Sequence, residues 1–144
     1  MSIFKRISVL AGLVTTLVAG GSALVAVPAS AGEYCAAGYH CVFYLTVESS
    51  KHSYFNSDGD FSNDRFSGGN GIGTGGIVNN NTWAASNSST AGYESHYYDG
   101  FNNGAPFLFC VNPGRTVHSI PSTLRDRASS LRLRGTTSIV CLQN

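Results

Sequence analysis

Apolar residues are distributed very differently in the first 31 residues and in the rest of the chain. An apolar stretch of aliphatic and small residues runs from Ile7 to about Val27 and follows the basic pair Lys5 and Arg6. After residue 31 no apolar run of that length recurs, and short aromatic and β-branched runs alternate with turn-forming residues. The pattern predicts an export signal followed by a separately folded part.

Residues 1 to 31 have the three-part layout of a secretory signal peptide, ending in an Ala-x-Ala cleavage site at Ala29, Ser30 and Ala31. A membrane anchor is the competing interpretation, because roughly 20 apolar residues can span a bilayer. Gly20, Gly21 and the small residues at the end of the run favour cleavage. We expect a secreted, extracellular protein comprising residues 32 to 144, with no membrane association after cleavage.

The mature part has the sequence pattern of an all-β domain. No segment keeps a 3.6-residue apolar period over a helix length, whereas short strand-like runs recur between turn formers. The predicted strands are 39–45, 53–55, 94–98, 106–111, 116–120, 130–134 and 138–142. Removing 31 residues from 144 leaves 113, enough for one domain with one core.

Residues 67 to 82 interrupt this pattern with six glycines and several asparagines. Such a segment loses much backbone entropy on ordering and has few side chains to bury, so we predict a mobile loop. A glycine-rich phosphate-binding loop is the alternative. It lacks the Gly-Lys-Ser/Thr ending and the helix pattern that phosphate binding requires.

All four cysteines, Cys35, Cys41, Cys110 and Cys141, lie in the mature part and would reach an oxidising compartment where disulfides persist. Four cysteines allow three pairings, of which we favour Cys35–Cys41 and Cys110–Cys141. The second bridge closes a loop of about 30 residues and would contribute roughly 3 to 4 kcal/mol on the chain-entropy model. A four-cysteine zinc site is the alternative, but such sites favour two short Cys pairs, and only one is present.

Charge in residues 32 to 144 is nearly balanced, because removing Lys5 and Arg6 leaves seven basic residues against eight acidic ones. This balance predicts no nucleic-acid partner. Five arginines follow Cys110, and in 130–134 arginine alternates with leucine at the two-residue period of a strand. We interpret this segment as a solvated sheet face; a docking surface for an acidic partner is the alternative.

The two halves of the mature part, about 41–88 and 93–141, repeat loosely. In the second half an aromatic strand leads into a glycine turn at 97–104, and the run Asp126-Arg127-Ala128-Ser129-Ser130 follows about 25 residues later. This resembles the Greek-key unit of the βγ-crystallin superfamily, where glycine permits a tight hairpin and the serine hydroxyl anchors it. The first half carries an incomplete copy of this unit. The hairpin glycine is missing there, at the position where Lys51 or His52 would fall. The resemblance implies a Greek-key β-sandwich of two units, stapled by disulfides.

The start of the mature part narrows this resemblance. Residues 35 to 44, Cys-Ala-Ala-Gly-Tyr-His-Cys-Val-Phe-Tyr, resemble the opening of the small secreted inhibitors of the Streptomyces-type metalloproteinase inhibitor family. The match, which covers most of 35–134, implies a monomeric peptidase inhibitor that occupies the cleft of an extracellular (metallo)protease. That family presents a Cys-Val peptide bond at its contact, so the resemblance implies an inhibitory contact at Cys110 and Val111, although no second cysteine closes that loop locally.

Calcium is the cofactor that the βγ-crystallin resemblance implies, through the pattern Asn/Asp-Asn/Asp-x-x-Ser/Thr-Ser. The candidate ligands are Asn63, Asp64, Ser67, Asp126, Ser129 and Ser130. Each half-site departs from the pattern at one position, with Gly68 at the last serine of one and Arg125 at the first acidic position of the other, so we expect weak binding at most. An EF-hand-like alternation over 58–64 lacks the required glycine and glutamate. The alternative function is therefore a calcium-stabilised extracellular βγ-crystallin-type structural, stress or antimicrobial protein.

Sequence motifs of catalysis are absent. His40, His52, His96 and His118 show no His-Glu-x-x-His spacing, and the chain has no Gly-x-Ser-x-Gly motif. Four oxidised cysteines leave no thiol nucleophile, and paired carboxylates need a cleft that a small domain rarely provides. We do not expect an enzyme.

Overall fold

The computed structural model describes residues 34 to 143, so the signal peptide predicted for residues 1 to 31 lies outside the described residues. The strands are β1 (His40–Phe43), β2 (Lys51–Tyr54), β3 (Ala84–Asn87), β4 (Glu94–Tyr98), β5 (Phe107–Val111), β6 (Thr116–Val117) and β7 (Ser130–Arg134). Two short 3-10 turns lie at Phe61–Asn63 and Phe101–Asn103. The strands form two antiparallel sheets, with the orders β2-β1-β3-β6 and β5-β4-β7.

The connectivity interlocks two Greek-key units. Strands β1, β2 and β3 of the first unit share a sheet with β6 of the second unit. In return, Asp58 of the first unit pairs with Leu131 of β7, through backbone hydrogen bonds of 2.9 and 2.7 Å. Each unit therefore contributes one segment to the sheet of the other unit. This strand order confirms the predicted all-β, βγ-crystallin-like fold.

The second hairpin uses glycine and serine as predicted. Ser130 Oγ donates a hydrogen bond of 2.6 Å to the Gly100 carbonyl and accepts one of 3.1 Å from the Asn103 amide. A Cβ atom at Gly100 would lie 2.9 Å from the backbone of Gly104, so the folded-back turn has no room for a side chain. The hydroxyl of Ser130, a predicted calcium ligand, is thus committed to the hairpin.

The core lies between the two sheets and is rich in aromatic rings. Tyr97 and Phe109 stack with their centroids 4.7 Å apart, and Tyr54 and Phe61 stack at 4.8 Å. All four rings are buried together with aliphatic residues of both sheets. Aromatic rings bury large apolar areas, which explains how a chain rich in glycine and serine builds a core.

Both favoured disulfides are present. Cys35–Cys41 ties the start of the described chain to β1, and Cys110–Cys141 ties the C-terminal segment to β5. The described residues contain no free cysteine.

One observed strand was not predicted, and one predicted strand forms no ladder. β3 (Ala84–Asn87) is buried along its whole length between β1 and β6, but its small residues give no alternating pattern, and it was not predicted. Conversely, the predicted strand 138–142 forms only an isolated bridge between Leu142 and Val111. The second disulfide, rather than a strand ladder, holds this segment.

The glycine-rich segment 67–82 packs against the first hairpin, so the expectation of a loop that packs little is wrong. The Ser50 amide donates to the Ile72 carbonyl at 3.0 Å, and the Asn70 amide donates to the Glu48 carbonyl at 2.9 Å. A Cβ atom at Gly73 would overlap the ring of Tyr44. The glycines therefore allow a close backbone approach that supports a hairpin lacking its own glycine.

We expect Gly73→Ala to destabilise the protein more than Gly75→Ala. Both glycines have positive φ, +90° and +82°, but a Cβ at Gly75 would meet nothing within 4 Å. Gly75→Ala should cost about 1 to 2 kcal/mol from backbone strain alone, and Gly73→Ala about 1 to 3 kcal/mol more from steric overlap. Urea denaturation of both variants measures the difference. Equal losses of unfolding free energy would show that the Tyr44 contact does not matter.

Candidate functional site

Cys110 and Val111, the predicted inhibitory contact, lie inside the second sheet. Both are 0% exposed in β5. The Cys110 carbonyl accepts from the Leu142 amide and the Val111 carbonyl accepts from Asn87 Nδ2, each at 2.8 Å. A protease cleft cannot reach this peptide bond while the domain is folded, so Cys110 and Val111 are corrected to core positions.

The N-terminal disulfide loop, residues 35 to 41, is instead both exposed and rigid. Its tip residues Ala36, Ala37 and Tyr39 are exposed, and the Cys35–Cys41 bond closes its base. Four hydrogen bonds of 2.7 to 3.0 Å hold the loop, one within it from the Tyr39 amide to the Ala36 carbonyl and three to Ser88. Both covalent and hydrogen-bonded restraints therefore fix its backbone.

Exposed aromatic side chains surround this loop. Tyr39 and Phe55 meet edge to face with their centroids 5.4 Å apart, and Phe55 and Tyr93 are 62% and 45% exposed. We call Tyr39, Phe55 and Tyr93 the aromatic rim. Phe55 and Tyr93 line a cleft of about 150 Å³. Sequence reasoning missed this surface because its residues are far apart in the chain; the Gly-Tyr pair between two cysteines was its only local signal.

His40 lies beneath the cleft and links the two sheets. Its Nδ1 atom shares a hydrogen bond of 2.6 Å with Ser95 Oγ, which joins β1 of one sheet to β4 of the other. Burial lowers the pKa of His40 from 6.5 to about 4, because an apolar interior disfavours the charged ring. Ser95 is 0% exposed, so this His-Ser pair is a structural link rather than an accessible nucleophile and base.

The first predicted calcium half-site is not assembled. Asn63 and Ser67 are exposed, and Ser67 pairs through its backbone with Lys51. Asp64 Oδ2 accepts a hydrogen bond of 2.8 Å from the Tyr54 hydroxyl. The Asp64 side chain and the Ser67 backbone thus support the local structure of the second strand.

The segment that pairs with the second half-site is 79–84. The Asn80 amide donates to the Ala128 carbonyl at 3.0 Å, and the Asp126 amide donates to the Thr82 carbonyl at 3.1 Å. Asn80 and Asp126 also share a left-handed backbone, with φ of 59° and 58°. These contacts place 80–83 beside the second half-site, and the assignment of 63–67 as the first half-site stays a prediction.

The side chains of these two segments fit calcium poorly. Trp83 Nε1 donates to Asp126 Oδ2 at 2.8 Å, and the Arg125 guanidinium lies 3.8 Å above the centre of the Trp83 ring. The indole N–H therefore binds a carboxylate oxygen that an ion would otherwise coordinate, and the arginine adds a positive charge that disfavours a cation nearby. In the related position Ser129 Oγ donates to the neutral Asn80 Oδ1 at 3.3 Å. Calcium affinity depends on the number and charge of oxygen ligands, and both are low here.

Comparisons with known proteins add little to this description. No family model and no curated protein matches the chain. Among solved structures the chain is similar to the N-terminal domain of protein S, at 13% identity and a TM-score of 0.46, over 67% of this chain and 96% of that one. The Greek-key assignment rests on the strand order and pairing given above. Within residues 34 to 143, no helix is long and apolar enough to cross a membrane.

Proposed function

We propose that the protein is a secreted inhibitor that occupies the active-site cleft of an extracellular protease. In this proposal the N-terminal disulfide loop and the aromatic rim form the contact surface. The observation that carries the proposal is an exposed loop whose backbone is fixed by a disulfide and four hydrogen bonds. The two disulfides are compatible with an extracellular location.

Rigidity favours inhibition for a thermodynamic reason. Association costs about 0.5 to 1.5 kcal/mol for each side chain that becomes immobilised, and a preorganised loop avoids much of this cost. Tyr39 packs edge to face against Phe55, and this contact favours one arrangement of the two rings. Exposed aromatic residues with few rotatable bonds are also the commonest energetic anchors of protein interfaces.

A metalloprotease is the target class that we propose. The residues that carry the resemblance to the metalloproteinase inhibitor family, 35 to 44, are the same residues that form the disulfide loop and β1. The motif thus coincides with the part of the molecule best suited to docking. The proposal keeps the inhibitory function expected from the sequence and moves its contact from β5 to this loop.

The test is an inhibition assay of the mature protein against a panel of thermolysin-like and subtilisin-like proteases, with a matched pair of variants. Phe55 and Phe101 are 62% and 49% exposed, but only Phe55 belongs to the aromatic rim. We expect Phe55→Ala to weaken inhibition by about 30-fold, since truncating an interface anchor costs about 2 kcal/mol. Phe101→Ala should inhibit like the parent protein. Absence of inhibition across the panel, or equal losses in both variants, would contradict the proposal.

A calcium-stabilised structural role is the second candidate, and one observation favours it. The side-chain oxygen of Asn79, beside Asn80, is buried and has no hydrogen-bond partner among the described residues. If the structural role is correct, millimolar calcium should raise the melting temperature of the protein, and the protein should inhibit no protease. However, Trp83 Nε1 already donates a hydrogen bond to Asp126, one of the candidate calcium ligands. Inhibition is therefore the better-supported function.

A further inference from the structure

A second cluster of side chains with potential ligand atoms is buried around β4 and β5. Glu94, His96, Cys110 and Cys141 each place one potential ligand atom within 4.8 Å of the others, and all four residues are buried. In the oxidised protein the two sulfurs form a disulfide, so they are not metal ligands. Reduction would place two thiols beside an imidazole and a carboxylate.

His96 carries the second observation that points to a ligand. Its Nε2 atom and Glu94 Oε2 lie 2.7 Å apart and share a hydrogen bond. Its Nδ1 atom is buried and has no hydrogen-bond partner among residues 34 to 143, and the residue is 0% exposed. A buried ring nitrogen without a partner is costly to the fold, whereas a histidine oriented by a carboxylate is the usual form of a metal-binding histidine.

We propose that reduction of the Cys110–Cys141 disulfide converts this cluster into a Zn²⁺ site. A dithiol reductant would attack one sulfur, break the S–S bond through a mixed disulfide and leave as its own cyclic disulfide, which gives two protein thiols. Each thiol releases one proton when its thiolate binds Zn²⁺. The two thiolates and the unpartnered His96 Nδ1 atom would be the protein ligands, and water would take the fourth position of a tetrahedral site. The Glu94 carboxylate would stay hydrogen-bonded to His96 Nε2 and orient the ring.

Contacts other than the disulfide keep the ligands close after reduction. His96 and Cys110 are paired residues of β4 and β5, and Glu94 lies two positions from His96 on the same face of β4. The Leu142 amide donates to the Cys110 carbonyl at 2.8 Å, which anchors the residue after Cys141. The Thr137 amide and hydroxyl both donate to the Glu94 carboxylate, at 3.0 and 2.8 Å. The cluster is thus preorganised by backbone pairing.

The test uses Co²⁺ as a spectroscopic probe for Zn²⁺ in the Cys35→Ser/Cys41→Ser variant, where Cys110 and Cys141 are the remaining thiols. After reduction with a phosphine, we expect one Co²⁺ per chain, thiolate-to-cobalt charge-transfer absorption and the visible bands of a tetrahedral ion. Zn²⁺ should displace the cobalt and remove both signals. The same variant with its disulfide intact should show neither.

Two further variants separate a built site from adventitious binding by two thiols. Glu94→Gln should weaken Co²⁺ binding about 10- to 100-fold, the usual effect of losing such a carboxylate partner, and His96→Asn should weaken it at least as much. Binding that is unchanged in both variants would overturn the proposal, even if reduction unfolds the chain, because an unfolded dithiol does not need His96. A reduced, folded protein without the tetrahedral cobalt spectrum would also overturn it. Neither result bears on protease inhibition, which rests on a different surface.

Discussion

The substitution Val111→Asp is expected to unfold the protein. Val111 is 0% exposed in β5, belongs to the core between the sheets and pairs with Ser95 of β4. Burying an unpaired carboxylate there, together with the loss of apolar packing, should cost about 5 kcal/mol or more. The whole stability of a domain of this size is about 5 to 15 kcal/mol. Loss of the far-ultraviolet circular dichroism of the folded state, or a much lower urea midpoint, is the expected result.

The chain offers a matched control in Val140→Asp. Val140 is 89% exposed, so the same chemical change there should alter the unfolding free energy by at most about 0.5 kcal/mol. A folded Val111→Asp protein that has lost inhibition would contradict the core assignment. It would return the inhibitory contact to Cys110 and Val111.

The stability of the protein is expected to fall between about pH 6.5 and pH 4 because of His40. Burial lowers the pKa of the folded-state ring from 6.5 to about 4, so in this range the unfolded chain binds a proton that the folded protein does not. Stability is therefore highest above the unfolded pKa and decreases as the pH falls toward the folded pKa. The change from about pH 8 to pH 5 should be about 2 kcal/mol.

The variant His40→Gln isolates this contribution. Glutamine keeps a polar group beside Ser95 but cannot titrate, so the variant should be less stable at pH 8 and lose about 2 kcal/mol less on acidification to pH 5. Glu94 does not account for a loss of stability in this pH range. Burial raises the pKa of Glu94, but hydrogen bonds from His96 and Thr137 outweigh burial and lower it. The stability that Glu94 contributes is therefore lost mainly below the ordinary pKa of 4.5. Urea titrations at the two pH values measure the difference. An unchanged slope in the variant would show that His40 titrates normally.

The sequence predicted those parts of the fold that local patterning specifies. The strands 94–98 and 130–134 were predicted at their observed bounds. The first ends in the aromatic pair Tyr97 and Tyr98 before a glycine turn, and in the second leucine alternates with arginine. A serine hydroxyl that anchors the second hairpin was also predicted, and the structure shows that this serine is Ser130. β3 was missed because Ala84 and Ala85 fit the crowded centre of a sheet by being small, which gives no hydrophobic alternation to detect.

The glycine-rich segment illustrates a different limit. Its composition favours disorder when it is considered alone, since glycine loses much entropy on ordering. In the fold, that loss is offset by backbone hydrogen bonds to the first hairpin and by contacts that only glycine permits, as at Gly73 against Tyr44. These partners lie about 25 residues away in the chain, and no local pattern connects them.

The candidate contact surface was not predictable for a similar reason. Tyr39 and Phe55 meet because the register of β1 and β2 pairs His40 with Tyr54. The family resemblance placed the contact at Cys110 and Val111, but the side-chain amide of Asn87 and the second disulfide hold these two residues inside the fold. The exposure of a residue depends on such long-range contacts, which the local sequence does not reveal.

Steady-state kinetics of a susceptible metalloprotease at several concentrations of substrate and of the mature protein test the central proposal most directly. A protein that occupies the active-site cleft should inhibit competitively, so the apparent KM of the protease should rise with inhibitor concentration while kcat stays constant. Inhibition that lowers kcat without changing KM would contradict occupation of the cleft by the disulfide loop. So would the absence of inhibition at every concentration.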